Sequence, residues 1–476
     1  MEHDLVVFVP GFLGSRLTRD GRDGRDGRDV WDVWGECGTA LLGSPPSARA
    51  LEDMALPPGL GDEPPEHRFP LAADELLMVP DSMPGLLSCM GYADIRAALG
   101  NPVDGQYVPF PYDWRLSNRL IAKQLRTRVQ RELGRWHEQV DTHYPDRPDD
   151  PKVMLVCHST GGLVGRYYLD CLGGRETART LVTLGTPHQG MAQAVRLLTG
   201  HAVGDDGDLG KDTRALNEVL RDFALNLPSV AQMLPVYDAV RVEGKSRLRT
   251  VADRRYPVPG LPTALVADAF SLHRELSEAR EAHRTAETGS RPAYQVYCVG
   301  SFAHPTVRTV GLSSDGLSFS AQSDAFLGAG DGTVPRESAL ADPALLDRSV
   351  MLWTDHRNAD MASARALGEW LTDIRRGLPV SGHLAGDEHI TLHAPSEAVA
   401  GRPFEVSVLG INIQGRNLRA VMWRVGSPTK YPVEFARNGA GRFRAELVGQ
   451  PGKWVMEAKV EGPMYADRKV VTVYMA

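Results

Sequence analysis

The sequence predicts a mostly parallel α/β sheet with helices on both faces, followed by a small all-β unit. Three observations carry that reading. The runs Leu5 to Val9, Val153 to Val156 and Thr180 to Leu184 are apolar and β-prone without alternation, as in strands buried on both faces. Helix-compatible stretches separate them at the spacing of strand–helix–strand units. After Pro379 the composition changes to short alternating strands between Ile390 and Ala476, with Asn438-Gly439 as a hairpin signal. About seven such strands suggest an immunoglobulin-like sandwich without a disulfide. At 476 residues the chain is too long for one ordinary core. The expected units are 1–380 and 388–476, joined by a linker around Ser381-Gly382-His383.

The first strand, Leu5 to Val9, is broken by Pro10-Gly11-Phe12-Leu13-Gly14-Ser15. A glycine loop after the first core strand can aim backbone N–H groups at a developing oxyanion. A long, poorly periodic insertion, about 18–90, follows. It opens with three Asp-Gly-Arg repeats ending at Asp29, read as a solvated loop. Trp31 and Trp34 come next at helical spacing, either as part of a flap over substrate or as core. The regular pattern returns with Tyr107 to Arg115, where Asp113 is placed to cap a helix. Leu120, Ile121, Leu125 and Val129 then form one apolar helical face.

The strand from Val153 leads into Cys157-His158-Ser159-Thr160-Gly161-Gly162 and a helix-compatible stretch. This is the pattern of a nucleophile elbow, in which Ser159 stands at the tip of a sharp strand-to-helix turn. A serine hydroxyl is a weak nucleophile until a base removes its proton, and the elbow lifts Oγ to where a histidine can reach it. Cys157 occupies the position where glycine is usual. Gly161 and Gly162 leave room for strand and helix to approach behind the turn.

After the strand ending in Leu184-Gly185-Thr186-Pro187-His188, a second insertion, about 191–293, contains helical pieces at Leu216 to Leu227 and Ala267 to His283. The sheet resumes at Ala293 to Val299. Asp331 then follows a glycine turn, and His356 ends the apolar run from Val350, with a helix starting near Ala362. Ser159, Asp331 and His356 therefore run in the order nucleophile, acid, base, as an α/β-hydrolase fold with lid or cap insertions requires. Asp324 and Asp355 are alternative acids, and His188 is the alternative base. His158 is expected to be structural, and His304 to shape the pocket. The oxyanion donors are the N–H groups of Phe12 and Thr160.

Composition limits the other classes. Hydrophobic content of 42% and charged content of 24% describe a globular protein, and a net charge of −7 disfavours nucleic acid as a partner. No apolar run is long enough for a transmembrane helix. The N-terminus enters a strand at Leu5 without a basic or apolar leader, so a cytoplasmic location is expected. Five cysteines without a Cys-x-x-Cys spacing read as free, mostly buried thiols. In an oxidising compartment Cys37 and Cys89 could instead close the first insertion. No metal cluster, phosphate loop or dinucleotide fingerprint is present, so no cofactor is expected.

Several of these segments together resemble the lecithin:cholesterol acyltransferase-like family of α/β-hydrolases. They are Phe8-Val9-Pro10-Gly11-Phe12-Leu13-Gly14-Ser15, Pro111-Tyr112-Asp113-Trp114-Arg115, His158-Ser159-Thr160-Gly161-Gly162, Leu184-Gly185-Thr186-Pro187-His188-Gln189-Gly190, Pro228-Ser229-Val230-Ala231-Gln232-Met233-Leu234-Pro235 and Gly330-Asp331-Gly332-Thr333-Val334-Pro335. The resemblance implies an acyl-ester hydrolase or acyltransferase acting on lipid-like esters. It maps nucleophile, acid and base onto Ser159, Asp331 and His356, and one oxyanion donor onto the Phe12 backbone. The C-terminal sandwich lies outside it and reads as a packing or binding module for a protein or glycan partner.

Overall fold

The computed structural model describes residues 1–20, 30–34, 54–56, 71–78, 81–83, 87–89, 91–202, 211–287, 292–301, 304–321, 330–339, 349–354, 356–362, 365–380, 389–394, 397–411, 417–437, 442–460 and 466–474. The Asp-Gly-Arg repeats, Cys37, Asp324, Asp355, the linker and Asn438-Gly439 lie outside them.

The central sheet has six parallel strands: β1 (Leu5–Val9), β2 (Tyr107–Pro109), β3 (Val153–His158), β4 (Ala178–Leu184), β5 (Gln295–Ser301) and β6 (Ser349–Thr354). Their order across the sheet is β6-β5-β4-β3-β1-β2. The chain starts inside the sheet, adds β2 on one side, then steps outward from β3 to β6 on the other. Continuous apolar runs follow from burial on both faces. Leu5, Val7 and Val9 pack with Leu120, Ile121, Leu125 and Val129 of helix α1 (Asn118–His143). Val6 and Phe8 pack on the opposite face with residues that include Leu367, Trp370 and Leu371. Burying each such side chain is worth about 1.5–3 kcal/mol.

The helices of the second insertion run over Lys211–Ala224 and Thr263–Ala286, longer than the apolar pattern suggested. Despite the helical spacing of its tryptophans, Val30–Trp34 is a strand, and the Trp34 side chain is buried, as the core alternative has it. That strand pairs with Ser15–Asp20, which also pairs with Leu71–Leu76, so the first insertion builds a small antiparallel sheet beside the Gly11 loop. Cys157, Cys171 and Cys298 are free thiols.

The C-terminal strands form two sheets. One contains β7 (His389–His393), β8 (Pro403–Ile411) and Arg442–Val448; the other contains Leu418–Arg424, Gly452–Val460 and Ala466–Tyr474. Glu397–Val399 pairs parallel with Ala466–Tyr474, while the long strands pair antiparallel. Leu392, Val406, Val408 and Met456 fill the space between the sheets, giving an immunoglobulin-like sandwich.

Candidate active site

Strand β3 lies between β1 and β4, and all six of its residues are buried. It delivers Ser159 to the carboxyl end of the sheet with φ of 50°. Holding a serine in this left-handed region costs on the order of 1–3 kcal/mol, so the surroundings must fix it. They do so through the main chain. The Ser159 N–H donates to the Leu184 carbonyl (2.8 Å), and the Gly162 N–H donates to the Ser159 carbonyl (3.0 Å). A side chain on Gly161 would strike the Pro10 carbonyl, and one on Gly162 would strike Thr186, so the glycines are required where helix and strand meet. Cys157 substitutes for the usual glycine because its sulfur fits over Gly165. Burial pushes the Cys157 thiol well up from its ordinary value, so this cysteine is not a competing nucleophile.

The Gly11 loop comes directly against the elbow. A Cβ on Gly11 would sit 2.8 Å from the Ser159 Cβ. Leu13 has φ of 65°, a second strained non-glycine position. The Pro-Tyr-Asp-Trp-Arg segment supports this loop. Tyr112 Oη donates to the Pro10 carbonyl (2.8 Å), and Trp114 Nε1 donates to the Ser15 carbonyl (3.2 Å). Trp34 Nε1 donates to the Leu13 carbonyl (2.9 Å), and the Phe12, Trp114 and Trp34 rings pack edge to face. Asp113 does not cap the helix. Its carboxylate accepts two hydrogen bonds from the Arg115 guanidinium, at 2.8 and 2.7 Å, and Arg115 reaches on to the Met54 carbonyl. Ser117 is the cap, accepting from the Arg119 N–H.

Asp331 reaches the same end of the sheet. Its Oδ1 accepts the N–H groups of Thr333 (2.9 Å) and Val334 (2.6 Å). Its Oδ2 accepts Asn358 Nδ2 (2.8 Å), and that amide also donates to the Gly185 carbonyl at the end of β4 (2.7 Å). Asp331 is 1% exposed, and this burial raises its carboxyl to about 6 against the lowering effect of its donors.

His158 connects the two sides. The Asn358 carbonyl can only accept, so His158 Nε2 carries the proton and donates to it (2.7 Å). Nδ1 then accepts from Tyr92 Oη (2.8 Å), whose oxygen in turn accepts the Gly11 N–H (3.0 Å). Burial lowers His158 to about 4, which keeps this single tautomer through neutral pH. One hydrogen-bonded chain thus runs Gly11, Tyr92, His158, Asn358, Asp331. Sequence reasoning missed Tyr92 and Asn358, which stand alone without motif spacing.

The other histidines separate clearly. His188 is buried with Nε2 3.2 Å from Thr183 Oγ1 and Nδ1 3.4 Å from Arg166, and burial followed by the Arg166 charge holds it well below its ordinary value. It is buried in the core. His304 is buried and bridges to Gly330 through its backbone, which places the Asp331 turn. His356 lies between β6 and helix α2 (Asn358–Met361), and its N–H donates to Thr354 Oγ1 (3.3 Å). It is therefore held at the sheet end that carries Asp331, two residues before Asn358. Among the described residues no group of three or more His, Cys, Asp or Glu could hold a metal ion.

A parallel sheet in this order, with an elbow serine after a central strand, defines an α/β-hydrolase fold. The family model for lecithin:cholesterol acyltransferase matches residues 96–256, so the resemblance read from the motifs holds over that segment. No curated protein matches the chain. A chain of the Tle4–Tli4 complex is similar at 15% identity and a TM-score of 0.47, over 78% of this chain and 98% of that one. The Bacillus licheniformis lipase BlEst2 in its propeptide form is similar at 11% identity and a TM-score of 0.34, over 98% of this chain and 73% of that one. No helix among the described residues is long and apolar enough to cross a membrane.

Proposed function

We propose that the protein is a serine acyl-ester hydrolase acting on lipid-like esters through Ser159, His356 and Asp331. The observation that carries the reading is the strained Ser159 turn lying against the Gly11 loop, with the Asp331 carboxylate tied to the end of the neighbouring strand. His356 Nε2 takes the Ser159 proton as Oγ attacks the ester carbonyl, and Asp331 orients the imidazole and stabilises its protonated form. The oxyanion forms between the N–H groups of Phe12 and Thr160, which engage no acceptor among the described residues. Collapse of the tetrahedral intermediate breaks the ester C–O bond, and the alcohol leaves with the proton from His356. Water, deprotonated by the same histidine, then attacks the acyl-serine and releases the acid.

Acyl transfer is the second reading, favoured by the family match over residues 96–256. It differs only in the acceptor, an alcohol replacing water in the last step.

The test is turnover of a panel of p-nitrophenyl esters and phospholipids, with and without glycerol or sterol acceptors. Ser159→Ala is expected to lower turnover by about four to six orders of magnitude with an unchanged far-UV spectrum. New ester formed on the acceptor identifies transfer, and free acid alone identifies hydrolysis. Near wild-type turnover by the alanine variant removes the proposal.

A further inference from the structure

The C-terminal sandwich touches the catalytic rim at two places. The first is the segment that carries the proposed base. Arg357, directly after His356 and directly before Asn358, donates from Nη2 to the Leu392 carbonyl (2.8 Å). Leu392 belongs to β7, the outer strand of its sheet, where main-chain carbonyls are available to a partner. The same guanidinium lies over Gly332, since a Cβ on that glycine would come within 3.0 Å of Arg357 Nη1. The carboxylate of Asp331 precedes that glycine. Two residues after Arg357, Ala359 packs against Val455 of the sandwich together with Trp423 and Val425. The second place is the support of the Gly11 loop. Lys453 of the sandwich is buried with Nζ 5.2 Å from the centre of the Trp34 ring, and Trp34 holds the Leu13 carbonyl.

These contacts add a second support to two parts of the site, the segment after β6 and the Gly11 loop. Ser159 is held by main-chain bonds within the sheet. In the His356–Asn358 segment, Asn358 is tied to His158 and to the Gly185 carbonyl, while Arg357, beside the proposed base, joins the acid turn to the sandwich.

We propose that Arg357 is a positioning residue, and that docking of the C-terminal sandwich acts through it to hold the His356–Asn358 segment in its working place. The inference rests on the serine-hydrolase reading above. Arg357 touches no reacting atom in this scheme. It fixes the chain that presents the base, and a displacement of about 1 Å at such a place costs on the order of 100-fold in rate. The sandwich is then a part of the catalytic unit and not a passive appendage.

The full chain tests this with two variants read by a small fluorophosphonate and a soluble short-chain ester. Arg357→Ala removes the link from the catalytic side. Val455→Asp places a charge against Ala359 from the sandwich side. Both are expected to lower kcat and the rate of Ser159 labelling by about 10- to 100-fold while KM stays within about twofold, the signature of lost positioning without lost binding. Arg357→Lys, which keeps one donor for the Leu392 carbonyl, is expected to recover part of the rate. Thermal unfolding of each variant separates this from loss of the catalytic fold, because a folded sheet with normal KM and depressed kcat supports the proposal. Wild-type labelling rates in both variants overturn the role of Arg357 and leave the hydrolase reading standing. A folded wild-type protein that takes no label at Ser159 overturns both.

Discussion

The two sides of the candidate site are built in different ways. The proposed nucleophile side comes from β1, β3 and the turns that directly follow them; main-chain geometry holds Ser159, and aromatic side chains brace the Gly11 loop behind it. Ser159 is fixed by bonds to Leu184 and Gly162, and Gly11 approaches so closely that no side chain fits. The acid–base side comes from two short segments, residues 330–335 and 356–361, that enter late in the chain. Polar side chains hold it: Asn358 grips Asp331, His158 grips the Asn358 carbonyl, and Arg357 reaches the C-terminal sandwich. The difference teaches where each side is vulnerable. Backbone crowding should damage the first, while loss of single polar side chains should damage the second.

The sharpest probe of the acid side is Asp331→Asn. Turnover is expected to fall by roughly 10⁴-fold, as when a triad acid can no longer set the histidine tautomer. Stability should move the other way with pH. The folded carboxyl is raised to about 6, so its contribution to folding is complete below the ordinary carboxylate range and is lost as pH rises through about 6. Between pH 4.5 and 7.5 the variant should therefore gain on the wild type by about 1–3 kcal/mol, read from urea midpoints at each pH. A difference that stays flat with pH contradicts the buried charge. In the wild type, activity should fall as pH drops through about 6, where Asp331 takes up its proton.

Gly11→Ala tests the nucleophile side. The added methyl must displace either the loop or Ser159, because it would lie 2.8 Å from the serine Cβ. A fall in kcat of about 10²–10³-fold is expected, comparable to losing one oxyanion donor. Wild-type kcat in this variant would show that the loop does not face the reacting carbonyl.

The same contrast explains what was legible in the sequence. Strands β1, β3 and β4 were readable because burial on both faces writes continuous apolar runs, and the elbow because its tight turn demands serine followed by glycines. The Asp113 assignment failed for a local reason. An aspartate two residues before an arginine can close on it, and here the Arg115 guanidinium takes both carboxylate oxygens while Ser117 caps the helix. The Trp31 and Trp34 spacing suggested a helix, but strand pairing with Ser15–Asp20 and burial of Trp34 decided the conformation. Tyr92, Asn358 and Arg357 carried no local signal. Their partners are 66, 27 and 35 residues away, so only the fold brings them together.

The central claim is that the proposed base at 356 activates the elbow serine. The direct measurement is peptide-resolved mass spectrometry of fluorophosphonate labelling, comparing wild type with His356→Ala under identical conditions. The account predicts an adduct on the Ser159 peptide of the wild type and a labelling rate at least about 10³-fold slower in the variant. Equal labelling of the two proteins, or an adduct on a different serine, would contradict it.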